Sequence, residues 1–147
     1  MKISLRNLLL NRSVKILVFG TFDIFHPGHV SFLKQARAFG DHLSVVIARD
    51  KTVLKVKHAL PRNNEKQRLE TVKNSGLADC VVLGSLGDKY KIIQKIKPDI
   101  ICLGYDQTFF IEQIKEKLDE FGFSKTKLIR LKPFQENIYK SSKLKKD

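Results

Sequence analysis

The chain's strongest constraint on fold is an alternation. Short runs of aliphatic and β-branched residues recur between longer segments with helical spacing. The runs are "KILVFG" (Lys15–Gly20), "HLSVVIA" (His42–Ala48), "DCVVLG" (Asp79–Gly84), "DIICLG" (Asp99–Gly104) and "KTKLIRL" (Lys125–Leu131). Strands that read as nearly continuous hydrophobic runs are buried on both faces, as in parallel sheets. Helical spacing occupies Pro27 to Gly40, "NEKQRLETVKNSG" up to Gly76, "DKYKIIQKIK" before Pro98, and "FFIEQIKEKLDEFG" with Gly122 just past its end. Proline in a first turn and glycine just beyond a last one are ordinary helix boundaries. "KTVLKVKHALPRN", basic and with Pro61 inside, reads as a surface loop, and "KSSKLKK" as the start of a final helix. The alternation predicts βαβ units and one α/β domain: Rossmann-like and doubly wound, with a parallel five-stranded sheet and helices on both faces. Residues 14–147 are expected to form it, with residues 1–13 as an N-terminal extension.

Composition narrows the function classes. Hydrophobic residues make up 42% and charged residues 29% of 147, values of a globular chain rather than a disordered one. No apolar run approaches the roughly 18 to 20 residues of a membrane span, and Leu8–Leu10 is too short for a secretory core, so a cytoplasmic protein is expected. Cys80 and Cys102 sit inside aliphatic runs without a CxxC spacing or a nearby histidine, which points to buried thiols rather than metal or redox chemistry. The formal charge of +13 attracts polyanions. Its lysines are spread along the chain without a nucleic-acid-binding motif, so a basic surface that gathers nucleotide substrates accounts for the charge equally well.

In an open parallel sheet, ligands sit beyond the carboxyl ends of the strands, where strand order reverses. The first such segment is "GTFDIFHPGH", with His26 and His29 flanking Pro27-Gly28 where a strand gives way to a helix. Gly20 is expected to let the chain turn, bringing Thr21, Asp23 and both imidazoles around a helix N-terminus. Such a terminus has unpaired N–H groups and a partial positive charge that suit a phosphate. Two imidazoles there can donate hydrogen bonds as charge builds on phosphoryl oxygens. A metal pair is disfavoured by the Pro-Gly insert and the lack of a third ligand.

"GTFDIFHPGHVSFLKQARAFGD" resembles the HxGH signature of the nucleotidyltransferase superfamily, in its cytidylyltransferase-like branch. "VVIARDKTVLKVK", "EKQRLETVK", "LGSLGDKYKIIQKIKPDIICLGYDQ" and "KSSKL" follow in that family's order, and "ARD" with "KPDIICLGYDQ" is most similar to the archaeal FAD synthase type. The resemblance implies catalytic roles for His26, His29 and Lys57, and a nucleotide site including Gly20, Thr21, Phe22, Gly28, Lys55, Arg68, Gly104, Asp106, Ser141 and Ser142. Asp23, Phe109, Phe110 and Arg130 are implied on the acceptor side. No dedicated metal site is expected; Mg²⁺ would ride on the triphosphate, with Asp23 as a contact through water. The family's C-terminal motif departs here: its glycine is replaced near Asn137, and its opening arginine has only Arg130 or Lys132 as substitutes.

The implied reaction moves a nucleotidyl group from ATP or CTP to a phosphate-bearing acceptor and releases pyrophosphate. FMN is the favoured acceptor; CTP with glycerol 3-phosphate is the alternative, and a catalytically silent nucleotide- or nucleic-acid-binding protein is the reading from another class. Relatives of this kind imply a homodimer, without a membrane or nucleic-acid partner.

Overall fold

The structure, a computed structural model, describes residues 13–105, 107 and 111–133. Asp106, Phe109, Phe110, Ser141, Ser142, the expected C-terminal helix and residues 1–12 lie outside the described residues. The elements run β1 (Lys15–Gly20), α1 (Pro27–Arg37), β2 (His42–Ile47), α2 (Asp50–Lys57), α3 (Glu65–Asn74), β3 (Cys80–Leu83), α4 (Lys91–Ile96), β4 (Ile100–Leu103), α5 (Ile111–Glu120) and β5 (Lys127–Arg130).

The sheet has the order β3-β2-β1-β4-β5, and every adjacent pair is parallel. Strand order therefore reverses between β1 and β4, the crevice position expected for a ligand. Alternation along β1 feeds two separate cores. Ile16 and Val18 join Leu33 and Ala36 of α1 and Val72 of α3, whereas Leu17 joins Ile93 of α4 with Ile114 and Leu118 of α5. The period of two in the strands thus divides one hydrophobic run between two helical layers. This is the doubly wound α/β fold expected from the alternation.

One expected loop is half helix. Asp50–Lys57 forms α2, which stops at His58 with a left-handed φ of 60°. Its apolar residues concealed it: Val53 is buried, while Leu54 and Val56 are exposed, so no amphipathic stripe marks the sequence. Asp50 in its first turn and Lys55 and Lys57 in its last do match the helix dipole. Gly76 and Gly122, at φ of 72° and 78°, end α3 and α5 as the sequence predicts.

The amino end of the sheet is locked by aspartates placed just before three strands. Asp41 Oδ2 accepts the Val14 amide at 2.7 Å, Asp79 Oδ2 the Leu43 amide at 2.8 Å, and Asp99 Oδ2 the Lys15 amide at 2.8 Å. Each latches the start of one strand to the start of its neighbour. Gly40 makes this join tight: a Cβ there would strike Ile16 Cδ1 and come within 2.7 Å of the Val14 carbonyl oxygen. Backbone cannot retreat as a flexible side chain can. Gly40→Ala is expected to destabilise the fold by about 1–3 kcal/mol, read as a lower urea midpoint with an unchanged m-value.

Candidate active site

The turn after β1 is set by two residues in an unexpected division of labour. Gly20 keeps an ordinary strand backbone, and the left-handed residue is Phe22, at φ 52°. Phe22 is buried, and its ring lies so close over Gly20 that a Cβ there would meet ring carbons at 2.5 and 2.8 Å. Gly20 is needed for this close approach rather than for turning. A bulky residue at positive φ is costly, and the surrounding rings hold it: Phe25, Phe32 and His29 lie 6.5, 6.1 and 5.3 Å from Phe22 between centroids.

Both histidines cap α1. His26 is the N-cap residue, and its Nδ1 accepts the Gly28 amide at 3.0 Å. His29 returns the bond, its Nδ1 accepting the His26 amide at 3.3 Å. The His29 amide donates to the His26 carbonyl at 2.9 Å. The expected free amides at this terminus are therefore occupied, and Gly28 serves the cap instead of presenting its N–H to a ligand. A neutral imidazole that accepts at Nδ1 carries its proton on Nε2. The site's donors to an anion are thus imidazole N–H groups, backed by the helix dipole. The two rings stack at 3.8 Å between centroids.

Burial lowers the His29 pKa to about 3, helped by the charges of His26 and Lys57; Asp23 and a hydrogen bond to the Ile24 backbone oppose this. Burial also lowers the His26 pKa. His29 is therefore neutral near pH 7 in the free protein, and burial disfavours charge on His26 as well. The charge of Lys57 acts on His29, whereas that of Lys55 acts on Lys89, whose pKa is lowered first by burial and then by Lys55. Two positions on a helix differ by about 200°, which sends these lysines to opposite sides of α2. The charge of Lys57 is thus felt at His29 and that of Lys55 at Lys89.

Three other expected site residues are committed to holding loops. Asp23 is buried, and its two carboxylate oxygens accept the Arg62 and Asn63 amides, each at 2.9 Å. It is a latch between the β1–α1 turn and the segment before α3. The Arg68 side chain has no exposed surface, and its Nη1 donates to the Thr21 carbonyl at 2.9 Å. It ties the turn to α3. Arg130 Nη1 donates to the carbonyls of Gly104, Tyr105 and Gln107 at 2.7, 3.2 and 3.1 Å. It clasps the loop after β4.

Gln107 was not among the expected site residues, although it closes "GYDQ". Its Oε1 accepts the Gly104 amide at 2.8 Å and its Nε2 donates to the Phe19 carbonyl at 2.9 Å. It spans the switch point between β1 and β4 and brings Gly104 beside the end of β1. A polar residue after the last strand position was the only signal for it. Among the described residues, no cluster of three or more His, Cys, Asp or Glu side chains could hold a metal ion. Cys102 is buried with its thiol pushed up to about 12, and Cys80 is half-buried.

Residues 17–147 match the cytidylyltransferase-like family. The chain belongs to that family. It is 46% identical to the FAD synthase of Methanohalophilus mahii over 88% of this chain and 90% of that one. Against the FAD synthase of Methanosarcina acetivorans the figure is 50% over 80% and 76%, and against that of Pyrococcus abyssi 42% over 91% and 91%. Among solved structures, the lipopolysaccharide core biosynthesis protein of Thermoplasma volcanium superposes with a TM-score of 0.77 at 35% identity, covering 84% of this chain and 99% of that one. A pantoate-beta-alanine ligase from Francisella tularensis, at 18% identity and a TM-score of 0.63 over 92% of this chain and 66% of that one, shares the fold.

The capped histidine gives this cytidylyltransferase-like domain a pH signature. An unfolded chain protonates His29 near 6.5, and the folded protein only near 3. Between those values the unfolded state binds a proton that the folded state refuses, so stability falls as pH drops through the window. The slope from one such site reaches about 1.4 kcal/mol per pH unit. His29→Gln, which keeps an acceptor for the His26 amide, is expected to flatten the dependence of the urea midpoint on pH between about 4 and 6. An unchanged slope would show that His29 is not buried neutral.

Proposed function

We propose that this protein is an FMN adenylyltransferase, joining ATP and FMN to give FAD and pyrophosphate. The observation that carries this reading is the 42% to 50% identity to archaeal FAD synthases over most of the chain. The stacked pair of imidazole donors at the switch point, with Lys57 beside it, supports the same chemistry.

In this reaction a phosphate oxygen of FMN attacks the α-phosphorus of ATP, and the bond to the pyrophosphate oxygen breaks. No protein nucleophile is required. What the protein must do is hold two anions in line and meet the charge that develops on the transferring group. His26 donates from Nε2 while its Nδ1 stays bound to the cap, and His29, whose ring is hydrogen-bonded to the Ile24 backbone, exchanges that bond for one to the phosphoryl oxygens. Lys57 supplies a full positive charge to the triphosphate. Neutral N–H donors gain most where negative charge builds on the phosphoryl oxygens in the transition state. Stabilisation that grows with the charge is what raises kcat.

A divalent cation would arrive with the triphosphate and neutralise part of its charge. The described residues offer it no acidic cluster, and the carboxylate oxygens of Asp23 are occupied by amides. The residues present therefore suit a cation that stays largely hydrated on the nucleotide. Burial of Cys102 with its thiol held protonated fits a scheme without a covalent protein intermediate.

The test is pyrophosphate release from purified protein with Mg²⁺, in the presence of ATP and FMN or of CTP and glycerol 3-phosphate. Turnover with ATP and FMN, with FAD identified as product, is expected. Turnover confined to CTP and glycerol 3-phosphate would replace the reading, and salt-sensitive nucleic-acid binding without turnover would replace it by a binding role. His29→Ala is expected to lower kcat by about 10² to 10³ while the protein remains folded at pH 7. Lys57→Ala is expected to lower kcat and raise KM for ATP together, since a full charge acts on both bound states.

A further inference from the structure

We propose that Arg68 is a positioning residue for nucleotidyl transfer: its buried guanidinium fixes the HPGH turn and the helix that carries Lys57 in one rigid frame. Each of its donor nitrogens is aimed at a different segment. Nη1 donates to the Thr21 carbonyl at 2.9 Å, in the turn that leads to the histidines. Nη2 meets Asp50 Oδ1 at 2.7 Å, at the first residue of α2. Nε donates to the Asn63 carbonyl at 3.0 Å, in the segment that Asp23 latches back to the same turn. A planar fork with fixed donor directions sets the mutual geometry of its acceptors in a way an ammonium group cannot.

The frame continues beyond Arg68. Asp50 Oδ2 accepts the Glu65 amide at 3.2 Å, and Glu65 Oε1 accepts the Asp50 amide at 2.9 Å, so the first residues of α2 and α3 cap one another. Glu65 Oε2 binds Arg49 at 2.8 Å, and Arg49 Nε donates to the Gly84 carbonyl at 2.6 Å, at the end of β3. The Asp50 amide, followed by Arg49, holds the Glu65 carboxyl below its ordinary pKa. α2 is a short rigid rod of eight residues, about 12 Å long. Its first residue is held by Arg68, its middle by the buried Val53, and its last residue is Lys57. Where Asp50 is held thus decides where Lys57 stands relative to His29.

The Arg68 side chain has no exposed surface and its three nitrogens are held by Asn63, Thr21 and Asp50, so its effect on the reaction passes through the groups it holds. A misplacement of about 1 Å in such a frame can cost on the order of 10²-fold in rate. The inference rests on the adenylyl-transfer reading for the identity of the acceptor alone; the frame itself concerns the triphosphate end of the site.

A double-mutant cycle tests it. Asp50→Asn is expected to lower kcat/KM for ATP about 30-fold in the natural background but less than about threefold in a Lys57→Ala background, because the lysine it positions is gone. Equal losses in both backgrounds would overturn the proposal, leaving Asp50 a general stabiliser of the fold. Arg68→Lys keeps the charge and loses the fork. It is expected to reduce kcat about as much as Asp50→Asn while circular dichroism and the fold remain native. Full activity of Arg68→Lys would equally overturn the proposal. ATP affinity measured by calorimetry without FMN repeats the cycle on binding alone, where the same non-additivity is expected. A natural protein that binds ATP but makes no FAD would sink the adenylyl-transfer reading and still let the binding cycle decide on Arg68. One that binds no nucleoside triphosphate would overturn both.

Discussion

An imidazole can accept a backbone N–H only through an unprotonated nitrogen, and the first turn of α1 depends on two such bonds. His26 and His29 each contribute Nδ1 to the cap, so the helix start and the protonation state of the site are one feature. Serine or aspartate would cap the helix as well or better, but would offer no donor on the far side. Imidazole has a second nitrogen, and the cap directs the proton to it. The low pKa of His29 follows from the same geometry, because its burial against Phe22, Phe25 and His26 penalises charge. The cap and the proposed role of these histidines in transfer are therefore not rivals. The structural bond is what prepares the donor.

Around that pair, positive charge is distributed by helix geometry rather than by sequence proximity. Lys55 and Lys57 read as one basic stretch, yet α2 turns Lys57 towards His29 and Lys55 towards Lys89. Lys89 also lies 5.4 Å from the centre of the Tyr90 ring, so the two lysines extend the basic surface away from the histidines. The formal charge of the chain is +13, to which these lysines contribute. Such a charge speeds the arrival of polyanionic substrates at low salt. It does not choose among them.

The alternation of strands and helices was legible because burial on both faces leaves an unbroken aliphatic signature, and the glycine stops at Gly76 and Gly122 were legible because positive φ favours one residue type. "HPGH" was legible as a site through its place between a strand and a helix. α2 was not, because it is short and buries Val53 while exposing Leu54 and Val56. The role expected of Gly20 was the wrong one, since sequence shows that a side chain is absent but not that Phe22 occupies its space. Asp23, Arg68 and Arg130 have the residue types expected of ligand-binding groups. Nothing in a linear string reveals that backbone groups in other loops are among their partners, separated by 39 residues for Asp23 and Arg62 and 47 for Arg68 and Thr21. Charged side chains in a phosphate-handling fold are easily read as phosphate contacts when their work is to hold the loops that make those contacts.

The polar groups of the two sheet ends accordingly serve different ends of the same design. At the amino end, Asp41, Asp79 and Asp99 each repeat one local bond, latching a strand to its neighbour. These contacts fix register and would serve any protein with this sheet. At the carboxyl end, Asp23, Arg68, Gln107 and Arg130 tie loops to one another and to the elements beside them. Loops have no ladder to hold them, so their positions must be set by side chains, and a site built on loops is only as well placed as those ties. Buried charges are costly to place there, and Arg68 is compensated by three acceptors. That cost is understandable where the distance between a lysine and an imidazole must be held against the repulsion of two substrates that are both anions.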